Sequence, residues 1–178
     1  MLIATVSFAQ ENDQPYYGNS LKLGESTKLN FDYKGIIEFG YLSEVGNYGM
    51  DRIKLNIING CRIGQYFSLG VGTGLRYYLE PDAYLIPFFG NFRGNFDIGN
   101  ILSYLSLDLG YSFNATHAFE STGFLLSPTF GVGFRGLDKS IITVGIGYEM
   151  QNIPTYYSGY FESYRNFGAI SFNVGFSF

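Results

Sequence analysis

Residues 167–178 read FGAISFNVGFSF, and within them Ile170, Phe172, Val174, Phe176 and Phe178 alternate with Ser171, Asn173, Gly175 and Ser177. Large apolar side chains at every second position, with small or polar ones between, describe a β-strand with one apolar face. Seven earlier segments have the same period. They lie at about 33–43, 51–63, 67–79, 83–95, 101–113, 124–135 and 141–151. The third is very regular, with Phe67, Leu69, Val71, Leu75, Tyr77 and Leu79 set against Ser68, Gly70, Gly72, Gly74, Arg76 and Tyr78. The fourth is the least regular, because Pro87 cannot donate to a ladder and Phe residues fall on both faces.

Bulk composition fits strands better than helices. The chain has 178 residues, enough for one sizeable domain. Phe and Tyr make up 19% of it, Trp is absent, Gly occurs 24 times, and only 15% of residues are charged. That charge content is well below the roughly 25% of soluble domains. Mean hydropathy is nevertheless only +0.05, and the longest uncharged run, Ser121 to Phe134, is broken by Ser, Thr, Pro and Gly. Such a run falls short of the roughly 18 apolar residues of a spanning helix. A net charge of -4 and the lack of a Lys/Arg cluster exclude nucleic acid as an expected partner.

Eight strands of this length suit a tilted crossing of a bilayer. The expected architecture is therefore all-β, an eight-stranded antiparallel up-and-down transmembrane barrel spanning 33–178. Residues 1–9 read as the remnant of a secretory signal ending Ser7-Phe8-Ala9, and 10–32 as a polar lead-in on the periplasmic side. Turns after strands two, four and six should be short, while the stretches 114–123 and 152–166 read as the longest loops, at the opposite end.

A soluble eight-stranded barrel would alternate too, with its apolar face turned inward around a ligand. Side-chain size separates the two. The polar face here carries mostly Gly, Ser, Thr and Asn, which suit a narrow interior and not a water-facing exterior. The apolar face carries Tyr41, Tyr77, Tyr84, Tyr111 and Tyr148 near one set of strand ends and Tyr33, Phe92, Phe134 and Phe178 near the other, as membrane girdles do. The few inward charges must then pair or be hydrated. Glu38, Arg76, Arg93, Asp108, Arg135 and Glu149 are the expected lumen network, a plug that favours a closed scaffold over an open pore.

Little else in the sequence points to chemistry. His117 lies near Glu120 and Ser121, the ingredients of acyl transfer, but sequence proximity does not make a triad and a solvated loop histidine explains it better. One His and one Cys, Cys61, cannot build a metal site. The Gly-x-Gly pairs at Gly70, Gly131 and Gly145 open no helix, so they are strand positions and not phosphate cradles. No catalytic residue, cofactor or metal is expected. Tyr156, Tyr157, Tyr160, Phe161 and Tyr164, in the presumed loop 152–166, form the expected recognition surface, and aromatic packing of the loop over the barrel mouth accounts for the same composition.

The chain also resembles small outer-membrane β-barrel proteins of Bacteroidetes-type bacteria, of the OmpA/OmpX-like eight-stranded kind. The resemblance is carried by Tyr33-Lys34-Gly35, Gly49-Met50-Asp51-Arg52, Gly70-Val71-Gly72, Tyr77-Tyr78, Ile86-Pro87, Phe92-Arg93-Gly94, Ser127-Pro128 and the aromatic C-terminal strand. It implies location in the outer membrane, with lipid or lipopolysaccharide and an envelope protein or surface ligand as partners. It implies no particular reaction. A structural or interaction role is expected first, a narrow porin-like channel second, and a lipid A-modifying enzyme third.

Overall fold

In the computed structural model of the chain, residues 31–46, 50–64, 66–80, 83–98, 101–115, 120–136, 140–157 and 160–178 are described. The expected signal remnant, the lead-in up to residue 30 and His117 lie outside the described residues.

Eight strands follow one another: β1 (Phe31–Val45), β2 (Arg52–Ile63), β3 (Phe67–Tyr78), β4 (Ala83–Ile98), β5 (Ile101–Asn114), β6 (Glu120–Arg135), β7 (Ile141–Tyr157) and β8 (Tyr160–Ser177). Each pairs antiparallel with its neighbours in sequence, and β8 returns to β1, so the sheet is a closed barrel without an open edge along its wall. Among the described residues no helix is long and apolar enough to cross a membrane.

Closure is completed by the last residue. The Phe178 amide donates to the Gly35 carbonyl at 3.0 Å and the Gly35 amide to the Phe178 carbonyl at 2.9 Å. A Cβ on Gly35 would stand 2.6 Å from the Phe178 ring, so a side chain there would have to push that exposed ring aside.

The alternation dictates two faces. Outward lie Ile37, Phe39, Ile57, Val71, Phe88, Leu105, Phe130, Val144, Ile146, Phe172 and Val174, all exposed, with Val71 at 72%. Inward lie the polar and small residues together with a short apolar cluster of Ile36, Ile58, Phe89 and Leu125. An apolar exterior around a polar interior inverts the arrangement of a water-soluble barrel.

Two prolines are accommodated inside this wall. Pro87 lies in the continuous β4, where the described β3–β4 pairs skip from Thr73↔Phe88 to Arg76↔Leu85. The Thr73 hydroxyl donates to the Pro87 carbonyl at 3.0 Å, so that acceptor stays satisfied across the gap. Pro128 leaves a similar gap between Leu126↔Met150 and Thr129↔Gly147. Both follow from the missing proline N–H.

Short connectors at 64–66, 99–100 and 136–140 join strands at the end holding Phe31 and Phe178. At the far end the sequence reading needs correction. The stretch read as the long loop 152–166 is largely strand, with β7 running to Tyr157 and β8 starting at Tyr160, and the one read as 114–123 is strand at Asn114 and again from Glu120, where β6 begins. Ladder pairing continues through Asn152↔Asn166 and Pro154↔Tyr164 to Tyr157↔Tyr160, with a register shift between Thr155 and Tyr156. Pro154 and the polar residues suggest a loop locally, but cross-strand pairing overrides local propensity. A second shift lies between Ser112 and Phe113, opposite Gly123, whose φ of 132° is in the region open to glycine.

Candidate functional site: an ion-paired lumen

The inward face of β1, β2, β3, β4 and β7 places charged groups in a space only wide enough for side chains. Glu149 on β7 is the first node. Arg76 on β3 reaches across to it, with Nε 3.1 and 3.2 Å from the two carboxylate oxygens and Nη2 3.1 Å from Oε2. This two-oxygen geometry suits a guanidinium and could not be reproduced by lysine. Arg76 Nη1 also donates to Asn56 Oδ1 at 2.7 Å. Arg52 on β2 places Nε 3.3 Å from Glu149 Oε1, and its Nη2 reaches the Glu149 backbone carbonyl at 3.5 Å.

Glu38 on β1 is the second node. Lys54 on β2 stands 3.2 Å from one of its oxygens and Arg93 on β4 stands 3.7 Å from the other. Arg93 lies over the Tyr104 ring at 4.2 Å, and Arg52 over the Tyr78 ring at 5.2 Å, so aromatic faces cover the guanidiniums where oxygens do not. Asp108 stands apart: its Oδ1 accepts from Asn91 Nδ2 at 2.5 Å, and among the described residues no cation lies within ion-pair distance of it.

Arg52, Lys54, Arg76, Glu38 and Glu149 are all buried, Arg52 and Lys54 completely. Charges this deep are tolerable only in company. The two carboxylates tie β1 and β7 to β2, β3 and β4 across the lumen. Toward the mouth near Phe31 and Phe178, a cavity of about 10 Å³ lined by Lys34, Ile36, Ile58, Ser68 and Asn91 has room for one water.

Of the residues expected from sequence, Glu38, Arg76, Arg93 and Glu149 come together and Asp108 lies beside them without an ion pair. Arg135 is a correction. It is the last residue of β6 and is exposed at the rim, where water solvates its guanidinium and no buried partner is needed. Arg62 at the same end is also exposed, paired with Asp32 at 2.8 Å. Arg52 and Lys54 were missing from the expected network. Their alternation with Ile53 and Leu55 put them on the inward face, but depth along the bore needs the strand register.

Tyr156, Tyr157, Tyr160, Phe161 and Tyr164 belong to the paired ends of β7 and β8 and not to a loop. Glu120 and Ser121 belong to β6, and the position of His117 beside them lies outside the described residues. Among the described residues no group of three or more His, Cys, Asp or Glu is placed to hold a metal ion. Cys61 is a free thiol on the half-buried outer wall.

At the far rim, the Tyr41 hydroxyl donates to Asp51 Oδ2 at 2.6 Å and the Glu44 amide donates to Oδ1 at 2.9 Å. These two bonds, the tyrosine's first, hold the Asp51 carboxyl below its ordinary pKa.

No family model and no curated protein matches the chain. Among solved structures it is similar to neisserial surface protein A (NspA), at 15% identity over 83% of this chain and 95% of that one, with a TM-score of 0.57. A designed transmembrane β-barrel (13% identity, 82% and 92% covered) and the outer membrane enzyme PagL (11% identity, 80% and 97% covered) each align with a TM-score of 0.44. The likeness to NspA shows the fold: a closed, all-antiparallel eight-stranded barrel similar to outer-membrane barrel proteins.

Proposed function

We propose that the protein is a non-catalytic outer-membrane barrel, a sealed scaffold that anchors its far-end hairpins at the cell surface for structural or recognition work. The observation that carries this reading is the inversion of the barrel: a continuous exposed apolar wall surrounds a lumen cross-linked by Arg52, Arg76 and Glu149 and by Lys54, Arg93 and Glu38. The wall demands a hydrocarbon environment, and buried ion pairs spanning the lumen favour a closed interior over an ion path. Tyr41, Tyr84, Tyr111 and Tyr148 line the far rim of the wall, and Tyr33, Phe67, Phe134 and Phe178 the near one, supporting interfaces at both heights.

Fractionation of cells expressing the full chain, followed by planar-bilayer recording of the purified protein, tests the reading. Recovery in the outer membrane together with silent bilayers is the expected result. Recovery in the soluble periplasmic fraction, or stepwise conductance of reproducible size, contradicts it.

A further inference from the structure

Three cations gather around one hydroxyl at the mouth near Phe31 and Phe178. Ser68 on β3 pairs with Arg62 of β2 on one side and with Arg93 of β4 on the other. From β1, the Lys34 amine donates to the Ser68 hydroxyl at 3.4 Å, a long bond. All four residues occupy inward positions of their strands.

Counter-charge is spread unevenly among them. Asp32 stands 2.8 Å from Arg62. Glu38 stands 3.7 Å from Arg93 but is shared with Lys54 at 3.2 Å. Arg93 Nε, although buried, meets no hydrogen-bond acceptor among the described residues. For Lys34, no described carboxylate lies within ion-pair distance. Farther in, the buried cations Arg52, Lys54, Arg76 and Arg93 already outnumber the buried carboxylates Glu38, Asp108 and Glu149, and half-buried Lys34 adds to that surplus. Like charges crowded where the dielectric is low repel one another unless an anion joins them.

The small cavity beside Lys34 has the room and the chemistry for that anion. Along the paired row Lys34↔Gly60, Gly60↔Gly70 and Gly70↔Asn91, the two glycines bring no side chain, which opens space between Lys34 and Asn91. The lining offers the Lys34 amine, the Ser68 hydroxyl and the Asn91 amide as donors, with Ile36 and Ile58 as apolar walls and no acidic residue. Asp108 stands one strand farther on, where it already accepts from Asn91. A volume of about 10 Å³ suits an occupant of a single atom and is too small for phosphate or sulfate.

We infer that this cavity is a halide site, which takes one chloride ion on Lys34, Ser68 and Asn91 in the field of Arg62 and Arg93. The site goes beyond the scaffold reading and is independent of which side of the membrane this mouth faces. Full-length protein refolded into phospholipid vesicles is unfolded in urea while chloride replaces gluconate at fixed ionic strength. An ion bound only by the folded barrel raises the folding constant with concentration, approaching about tenfold per tenfold in chloride above its Kd. Wild type should show this rise. So should Arg135→Gln, which removes one positive charge from the same rim outside the site, whereas Lys34→Met should lose it. Equal responses in wild type and Lys34→Met, or a response lost in Arg135→Gln as well, would report general screening and overturn the inference. Should Lys34→Met fail to reach the heat-modifiable form, Ser68→Ala replaces it, and an unweakened chloride response in that variant overturns the inference equally. Crystals grown in bromide give an independent reading: an anomalous peak within hydrogen-bonding reach of Lys34 Nζ is expected, and no peak there contradicts the site.

Discussion

The guanidinium of Arg93 lies 4.2 Å above the ring of Tyr104, deep in the bore. That ring lies along glycines of the neighbouring strands β6 and β7: a Cβ on Gly131 would stand 2.5 Å from the ring and 2.5 Å from the Val144 carbonyl, and one on Gly145 would stand 2.5 Å from the Tyr104 hydroxyl. The Gly-x-Gly pattern of β6 and β7 is thus a seat for a large inward aromatic, which in turn backs a buried cation. Gly131→Val should destabilise the barrel by about 1–3 kcal/mol through overpacking against backbone that cannot move aside. Urea unfolding in lipid vesicles reads this directly, and an unchanged midpoint would show that the seat is loose.

Glu149 and Asp108 are both buried carboxylates, but they differ in company. Glu149 accepts from Arg76 and pairs with Arg52, whereas Asp108 accepts from Asn91. Glu149→Gln leaves two guanidiniums short of their counter-charge and should cost about 3–5 kcal/mol. Asp108→Asn keeps the acceptor that Asn91 uses and should cost no more than about 1 kcal/mol. Equal midpoints for the two variants in the same unfolding assay would remove Glu149 from the centre of the network.

Barrel closure hangs on Gly35 and Phe178. Their reciprocal backbone bonds extend the β1–β8 ladder by a rung, and the Phe178 ring occupies the space that a side chain at position 35 would need. Gly35→Leu is therefore expected to displace the terminal residue, slowing refolding into vesicles and lowering the yield of the heat-modifiable form. Gly90→Ala, where a Cβ would meet ordinary contacts at 3.6 Å and beyond, serves as the control and should refold normally.

Asp51 gives the far rim an acid response. Its carboxyl titrates below the unfolded value of about 3.9 because Tyr41 and the Glu44 amide bond its charged form. The resulting stabilisation is complete above the unfolded pKa and is lost as pH falls through the lowered folded one. Hydrogen exchange at the Glu44 amide should be slower in wild type than in Asp51→Asn at pH 6, and the two should converge only well below pH 4. Identical exchange at pH 6 would mean that the bonds do not hold the turn.

Much of this was readable from the sequence because a period of two assigns every residue to a face once one is assigned. Strand number, the polarity of the two faces and the inward positions of Glu38, Arg76, Arg93 and Glu149 follow from it. Three features do not. Depth along the bore depends on the shear between strands, so Arg52 and Lys54 could be placed inside but not at the nodes, and Arg135 could not be told from a buried arginine. Strand ends also escape a local reading: residues 152–166 contain Pro154, Gly159 and several polar residues, yet β7 and β8 pair through most of them because each supplies the other's hydrogen bonds. Tyr104 shares its strand with a run of leucines, and only its glycine seat across β6 and β7 reveals why an aromatic occupies the lumen.

Which face of the wall meets lipid separates a membrane barrel from a water-soluble one. The chain contains no Trp, so a single introduced indole reports its own surroundings without background. Tyr104 and Leu105 are neighbours, one 2% and the other 57% exposed. Tyr104→Trp and Leu105→Trp, refolded into vesicles containing brominated acyl chains, separate the two faces at one height. Strong quenching for Leu105→Trp with little for Tyr104→Trp is the predicted result. Equal quenching, or stronger quenching for Tyr104→Trp, would contradict a barrel that turns its apolar wall to the membrane and its ion pairs inward.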